Sequence, residues 1–223
     1  MQGGEHFGTV DQRRLQARTE ALWRLVRDDP RFACYGRGLG LADPGTADPA
    51  MQIAAARLVG VCAIEGVPEA EVPAWRRTLE AAGLKTDAYV EWIGGDAAFA
   101  AAGTVAEERR LPGDITLDRV GRDTPADTMA ALDDLTQGCG MLLPAGSFLR
   151  GAERPAACAF ACDAAGAAVG ASATVANFHP GHARGRCAWW GMLATRESRR
   201  GEGIALLLGA QTLLAARDAL GTR

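Results

Sequence analysis

The sequence predicts a mixed α+β protein, a mostly antiparallel sheet flanked by helices with an α/β region in front of it. Three observations carry that expectation. Runs such as Ala156 to Cys162, Ala167 to Val175 and Cys187 to Ala194 have the length and composition of strands. Longer segments with helix-compatible composition stand among them, and glycine or proline punctuates the junctions.

Composition narrows the class further. With 223 residues, 48% of them hydrophobic and 23% charged, the chain can bury a sizeable core, which excludes disordered, collagen-like and coiled-coil classes. A net charge of −3 and a pI near 5.7 leave no global basic field for a nucleic-acid backbone, and no local basic patch replaces it. All but one of the 24 basic residues are arginine, the exception being Lys85. No apolar run approaches the ~18 to 20 residues that span a bilayer, and Met1 to Val10 lacks a signal-peptide pattern, so a cytoplasmic protein is expected. The six cysteines (Cys34, Cys62, Cys139, Cys158, Cys162, Cys187) include no Cys-x-x-Cys pair and read as small buried hydrophobes, although Cys158 and Cys162 share one strand face. His179-Pro-Gly-His182 reads as a solvated loop, because its proline and glycine forbid the helical spacing of a metal pair.

From the N-terminus, Leu15, Ala17, Leu22, Leu25 and Val26 predict a helix from Val10 to about Asp28. Tyr35 to Pro49 has loop chemistry. Arg57 to Ile64 reads as a strand, Pro73 to Ala82 as a helix stopped by Gly83, Thr86 to Ile93 as an alternating strand, and Ala97 to Arg109 as a helix with Asp96 placed to cap it. That is a β-α-β-α unit. Leu111-Pro112-Gly113 breaks the pattern and sets the expected boundary between an N-terminal region (1–112) and a second domain (113–223). Ile115 to Val120 then reads as a strand, and Asp123-Thr124-Pro125 as a capped start for a helix to about Gln137. The turn Asp163 to Gly166 joins the next two strands as a hairpin. A polar loop, Asn177 to Gly185, leads to the last strand, and an apolar helix fills Ile204 to about Leu220.

The segment with chemical content is Trp189-Trp190-Gly191-Met192-Leu193-Ala194-Thr195 followed by Arg196-Glu-Ser-Arg-Arg200-Gly201-Glu202-Gly203-Ile204-Ala205. It places a strand, an arginine and glycine loop and a helix N-terminus in that order. Glycines let a backbone approach a ligand closely, and the first-turn N–H groups and helix dipole favour a phosphate. Arg37-Gly-Leu-Gly40-Leu-Ala42 satisfies the same short pattern, but Asp43-Pro44-Gly45 follows, so no helix can start there.

Arg200-x-x-Gly203-x-Ala205 resembles the acyl-CoA-binding signature of the GNAT superfamily of acetyltransferases, Gln/Arg-x-x-Gly-x-Gly/Ala at the start of a helix. The resemblance covers about Asp114 to Arg223. It implies that acetyl-CoA is the acyl donor and that the backbone of Leu193 and Ala194, with Thr195 at the strand end, meets the pantetheine arm and acetyl carbonyl. Arg199, Arg200, Gly201, Glu202, Gly203, Ile204 and Ala205 would hold the pyrophosphate. The implied activity is transfer of an acetyl group to an amine of a small molecule or protein. Trp189 and Trp190 point to opposite strand faces; core packing of both is expected, the alternative being that one of them edges an acceptor cleft. The family's next strand, closing hairpin and general-acid tyrosine have no counterpart before Arg223, and the two tyrosines present, Tyr35 and Tyr89, lie in the N-terminal half. A domain incomplete at its C-terminus is therefore expected, with an open sheet edge at Cys187 to Ala194 through which a homodimer would pair. Candidate proton acceptors are His179, His182, Asp163, Glu65 and Glu91. The alternative is a non-catalytic binding module of the same fold. A dinucleotide-binding reading is weaker, because Gly201 and Gly203 lack the third glycine of that motif.

Overall fold

The computed structural model describes residues 4–221. It is a mixed α+β fold with seven α-helices and two sheets among those residues. Helix α1 (Val10–Val26) is opened by a reciprocal cap, in which the Thr9 hydroxyl accepts from the Gln12 N–H and the Gln12 side chain accepts from the Thr9 N–H. Strands β1 (Phe32–Cys34) and β2 (Leu39–Leu41) pair antiparallel, and β3 (Cys62–Ile64) joins β2 in parallel after the crossover helix α2 (Pro49–Val59). Helices α3 (Val72–Ala81) and α4 (Asp96–Glu108) follow. The larger sheet has the order β4 (Thr116–Arg119), β5 (Ala156–Cys162), β6 (Ala168–Val175), β7 (Trp189–Thr195), all antiparallel. Helices α5 (Ala126–Gly138) and α6 (Gly146–Leu149) lie in sequence between β4 and β5, and α7 (Ile204–Leu220) follows β7.

Several expectations change here, each for a local reason. Arg57 to Ile64 is not one strand: α2 runs through it to Val59 and only Cys62–Ile64 is extended. Asp48 accepts from the Met51 N–H, Pro49 occupies the first helical turn and Gly60 ends it at φ 111°, and these three signals outweigh the β-branched residues. Thr86 to Ile93 forms no strand. Tyr89, Val90, Trp92 and Ile93 are 71 to 89% exposed, because alternation without a neighbouring ladder leaves backbone groups unpaired. The N-terminal region is therefore helix, two strands, helix, strand and two helices rather than β-α-β-α. Asp96 lies inside α4 behind Gly95, and α5 begins after Pro125 without a side-chain cap, Thr124 accepting instead from the Gly121 N–H.

The larger sheet is covered on both faces. Cys158 and Phe160 of β5 and Ala171 and Ala173 of β6 meet Met129, Leu132 and Leu135 of α5, while Ala159, Ala161 and Val169 meet Ile204 and Leu208 of α7. All eight residues of β6 are buried. A second core joins α1, the smaller sheet and α6 around Trp23, Leu39, Leu41, Val59 and Phe148, and it reaches Val175 at the end of β6. The end of β6 thus touches both layers.

Candidate functional site

The strand and loop that carry the resemblance are built around a bulge. Ala171 pairs with Ala194 and Ala173 with Gly191, so Met192 and Leu193 together oppose Ser172. Met192 takes φ 57°, a left-handed conformation rare for a side chain of its size, and its buried side chain anchors it in the core. Leu193 is left half exposed on the side of α7, close to Gly209. Ala194 is buried, and Thr195 ends the strand opposite Gly170, its carbonyl facing the Cys139 thiol. Among the described residues β7 pairs only with β6, so it forms the sheet's outer strand.

After β7 the chain makes a single 3₁₀ turn at Glu197–Arg199 and then two left-handed glycines, Gly201 at φ 85° and Gly203 at φ 78°. Only glycine takes two such positions so close together without strain. Gly203 begins α7 without a side-chain cap, and the first intrahelical donor is Leu207, which donates to the Gly203 carbonyl. The N–H groups of Ile204, Ala205 and Leu206 have no partner among the described residues, so the dipole end of a 17-residue helix points at open donors. The arginines here do different things. Arg199 is held between Asp114 and Glu202 at 2.8 to 3.1 Å, which raises its already high pKa. Arg200 is exposed, as are Gly201, Glu202 and Gly203, while Ile204 is buried under the sheet. An anion at this loop would be met by backbone N–H groups and Arg200, with Arg199 already spent on carboxylates.

A second feature, absent from the sequence-derived site, lies at the other end of β7. The turn from β1 into β2 carries Tyr35, whose ring stacks on Trp189 with centroids 4.4 Å apart, and Arg37, whose guanidinium sits 5.2 Å from the Trp189 ring centre. Tyr35, Arg37 and Glu65 line a mostly apolar cavity of about 190 Å³ with Leu15, Val61 and Leu142. Glu65 follows β3 and accepts from Asn177 Nδ2 at 3.1 Å, and Asn177 Oδ1 accepts from the Trp189 N–H at 3.0 Å. One amide thus ties the cavity to the first residue of β7. Burial pushes the Glu65 carboxyl up to about 7, with Glu91 adding to the effect and Arg184 and Asn177 opposing it.

The other candidate proton acceptors are engaged. His182 Nδ1 accepts from the Arg184 N–H and its Nε2 bonds Asp43, so neither ring nitrogen is free. His179 Nδ1 accepts from the Gly181 N–H. Asp163 holds the hairpin turn through the Ala165 and Ala167 N–H groups, and Glu91 pairs with Arg184 at 2.9 Å. The thiols of Cys34, Cys62 and Cys158 are pushed up to about 12 by burial, and Cys162 is raised as well, so none of these four is an activated nucleophile. Trp190 packs on α7, its indole N–H donating to the Gly209 carbonyl and Thr212 Oγ1, and remains 39% exposed. No group of three or more metal-ligating side chains and no helix long and apolar enough to cross a membrane occurs among the described residues.

No family model matches the chain, and no curated protein does. Among solved structures it is similar to a tandem GNAT protein from the clavulanic acid biosynthesis pathway, determined without AcCoA, at 19% sequence identity. The match covers 71% of this chain and 61% of that one, with a TM-score of 0.40. The match therefore spans about three fifths of that protein's length, and a likeness at this level transfers no residue role and no activity.

Proposed function

We propose that the chain is an N-acyltransferase that takes an acetyl group from acetyl-CoA. The observation that carries the reading is the unit formed by bulged β7, the two left-handed glycines and the uncapped start of α7, with three neighbouring N–H groups that have no partner among the described residues. Such a nest suits a pyrophosphate, and the open edge of β7 suits an extended arm lying along it.

When bound, acetyl-CoA would supply a thioester carbonyl for an acceptor amine to attack, with the C–N bond forming as the C–S bond breaks. The chain's own part is to hold the phosphates at Arg200 to Ala205, to present the backbone of Leu193 and Ala194, and to take the proton of the amine. Glu65 is the carboxyl suited to that last task, because its raised pKa lies near neutrality and Asn177 links it to β7. A non-catalytic binding module is the second reading, favoured by the hydrogen bonds and ion pairs that already engage all five candidate proton acceptors.

Calorimetric titration with acetyl-CoA, and with NAD as control, tests the site. Saturable binding of acetyl-CoA alone is expected. Gly203→Glu should abolish it. Ala205→Glu is the cleaner variant, since a glutamate in the first turn of α7 suits the helix dipole yet repels phosphate. Its melting temperature should hold while acetyl-CoA affinity falls at least tenfold, and unchanged affinity removes the site. Thiol release with a panel of amines then separates enzyme from binding module.

A further inference from the structure

Among the described residues, Arg37 is the arginine with the most buried nitrogens lacking a hydrogen-bond partner, Nε and Nη2, and its guanidinium lies over the face of Trp189. Other arginines show what this edge of the guanidinium does when an anion is present. Arg150 grips Glu5 through Nε at 2.8 Å and Nη2 at 3.0 Å, and Arg31 holds Asp29 through the same two nitrogens. In Arg37 that pair has no such partner among the described residues and is closed to water, so an anion entering the cavity reaches it only as the guanidinium turns. Burial lowers its proton affinity, the direction expected for a cation stripped of water and not given a counter-ion.

The cavity beside it is chemically two-ended. Glu65 lines it with one oxygen bonded to Asn177, and Arg37 and Glu65 do not pair with each other. Tyr35 lines the same cavity, within electrostatic reach of both. The remaining wall, including Leu15, Val61 and Leu142, is apolar. At about 190 Å³ the space exceeds the ~150 Å³ of an engineered cavity that takes up benzene, so a small organic molecule fits.

We propose that this cavity binds a small amino carboxylate, with the carboxylate on Arg37, the amine toward Glu65 and an apolar body against Leu15, Val61 and Leu142. The ligand's role as acyl acceptor rests on the acyltransferase reading above, whereas its binding does not. Of the pattern Arg37-x-x-Gly40-x-Ala42, which mimics the phosphate signature in sequence, Arg37 and Gly40 line this cavity.

The test is calorimetric titration of the full chain, without acetyl-CoA, by L-leucine, L-phenylalanine and 4-aminobutyrate. At least one should bind saturably with a dissociation constant below about 1 mM. Comparison of L-leucine or L-phenylalanine with its amide, which lacks the carboxylate, should show a loss of at least tenfold, or the matching loss for 4-aminobutyramide if only 4-aminobutyrate binds. Arg37→Gln should lose the same factor while its affinity for acetyl-CoA is unchanged. Absence of binding by all three acids to the folded chain overturns the proposal, and so does an amide that binds as tightly as its acid. The amide comparison needs no variant and decides the matter even where Arg37→Gln does not fold. Loss of acetyl-CoA binding in the wild-type chain beside intact amino-acid binding would remove the transferase reading and leave the cavity standing.

Discussion

The two sheets of this molecule are packed by opposite means. In the larger one, β6 is built mostly of alanine, glycine, serine and threonine, and α7 lies so close that a Cβ on Gly170 would come within 2.5 Å of Ile204 Cγ2. The smaller sheet has strands of three residues, and large side chains and buried amides tie its layer together. Gln16 donates to the Leu143 carbonyl at 2.6 Å and accepts from the Phe7 N–H, while Gln52 bridges the Cys62 carbonyl and the Trp75 indole. Small residues bring the backbones of sheet and helix together, and the exposed part of this layer's candidate site is the rim, where β7 opens into its loop. Large side chains joined by hydrogen bonds leave irregular gaps, and the cavity at Arg37 and Glu65 is one of them.

Three substitutions probe that contrast. The largest effect is expected at Trp23, fully buried where α1 meets Phe148 at 6.0 Å between ring centres, with the Arg154 guanidinium 5.0 Å from its ring. Trp23→Ala should cost about 3–5 kcal/mol by urea unfolding, and a loss under about 1 kcal/mol would mean the smaller sheet does not depend on its large residues. Next comes Glu65. Its folded pKa, about 7 against an ordinary 4.5, means the unfolded chain binds fewer protons between those values, so this group lowers stability as pH rises through that window, with the full cost above 7. Glu65→Gln should therefore match the wild type near about pH 4 and exceed it by something on the order of 3 kcal/mol near about pH 8. Parallel stability curves across pH would place the carboxyl in open solvent. The smallest effect belongs to Gly170→Ala, where one methyl group meets Ile204 and should cost about 1–3 kcal/mol. A neutral result would show that α7 has room to lift.

Much of the larger sheet was legible because its signals are local. The hairpin of β5 and β6 follows from strand-length apolar runs and the Asp163 turn, and α7 from its apolar run after a glycine loop. The smaller sheet was not, because three-residue strands carry too little period to be seen, and an Asp-Pro start with a glycine stop was masked by the apolar run that α2 shares with β3. At the candidate site, the loop residues Arg199 to Ala205 came from order along the chain. Arg37 could not come that way, since its meaning depends on Trp189, Glu65 and Leu142, which lie 28 to 152 positions away and meet it only after folding. Glu65 stood among five acceptor candidates, all of them hydrogen-bonded, and what singles it out is the burial that pushes its carboxyl up to about 7 beside the cavity.

The bulge at Met192 has a bearing on how β7 is read. Trp190 faces α7, yet Met192, two residues on, is packed with the α5 side, as is Ala194. In a regular strand residues two apart share a face, so the extra residue reverses the strand's phase halfway along. The first half of β7 is written for one pair of layers and the second half for the inverse. Removing Gly191 would take the surplus residue out: Met192, Leu193 and Ala194 would then alternate regularly on the faces they already occupy, with Ala194 still opposite Ala171. The bulge therefore changes which positions of the sequence face α7 without changing the side on which the glycine loop opens.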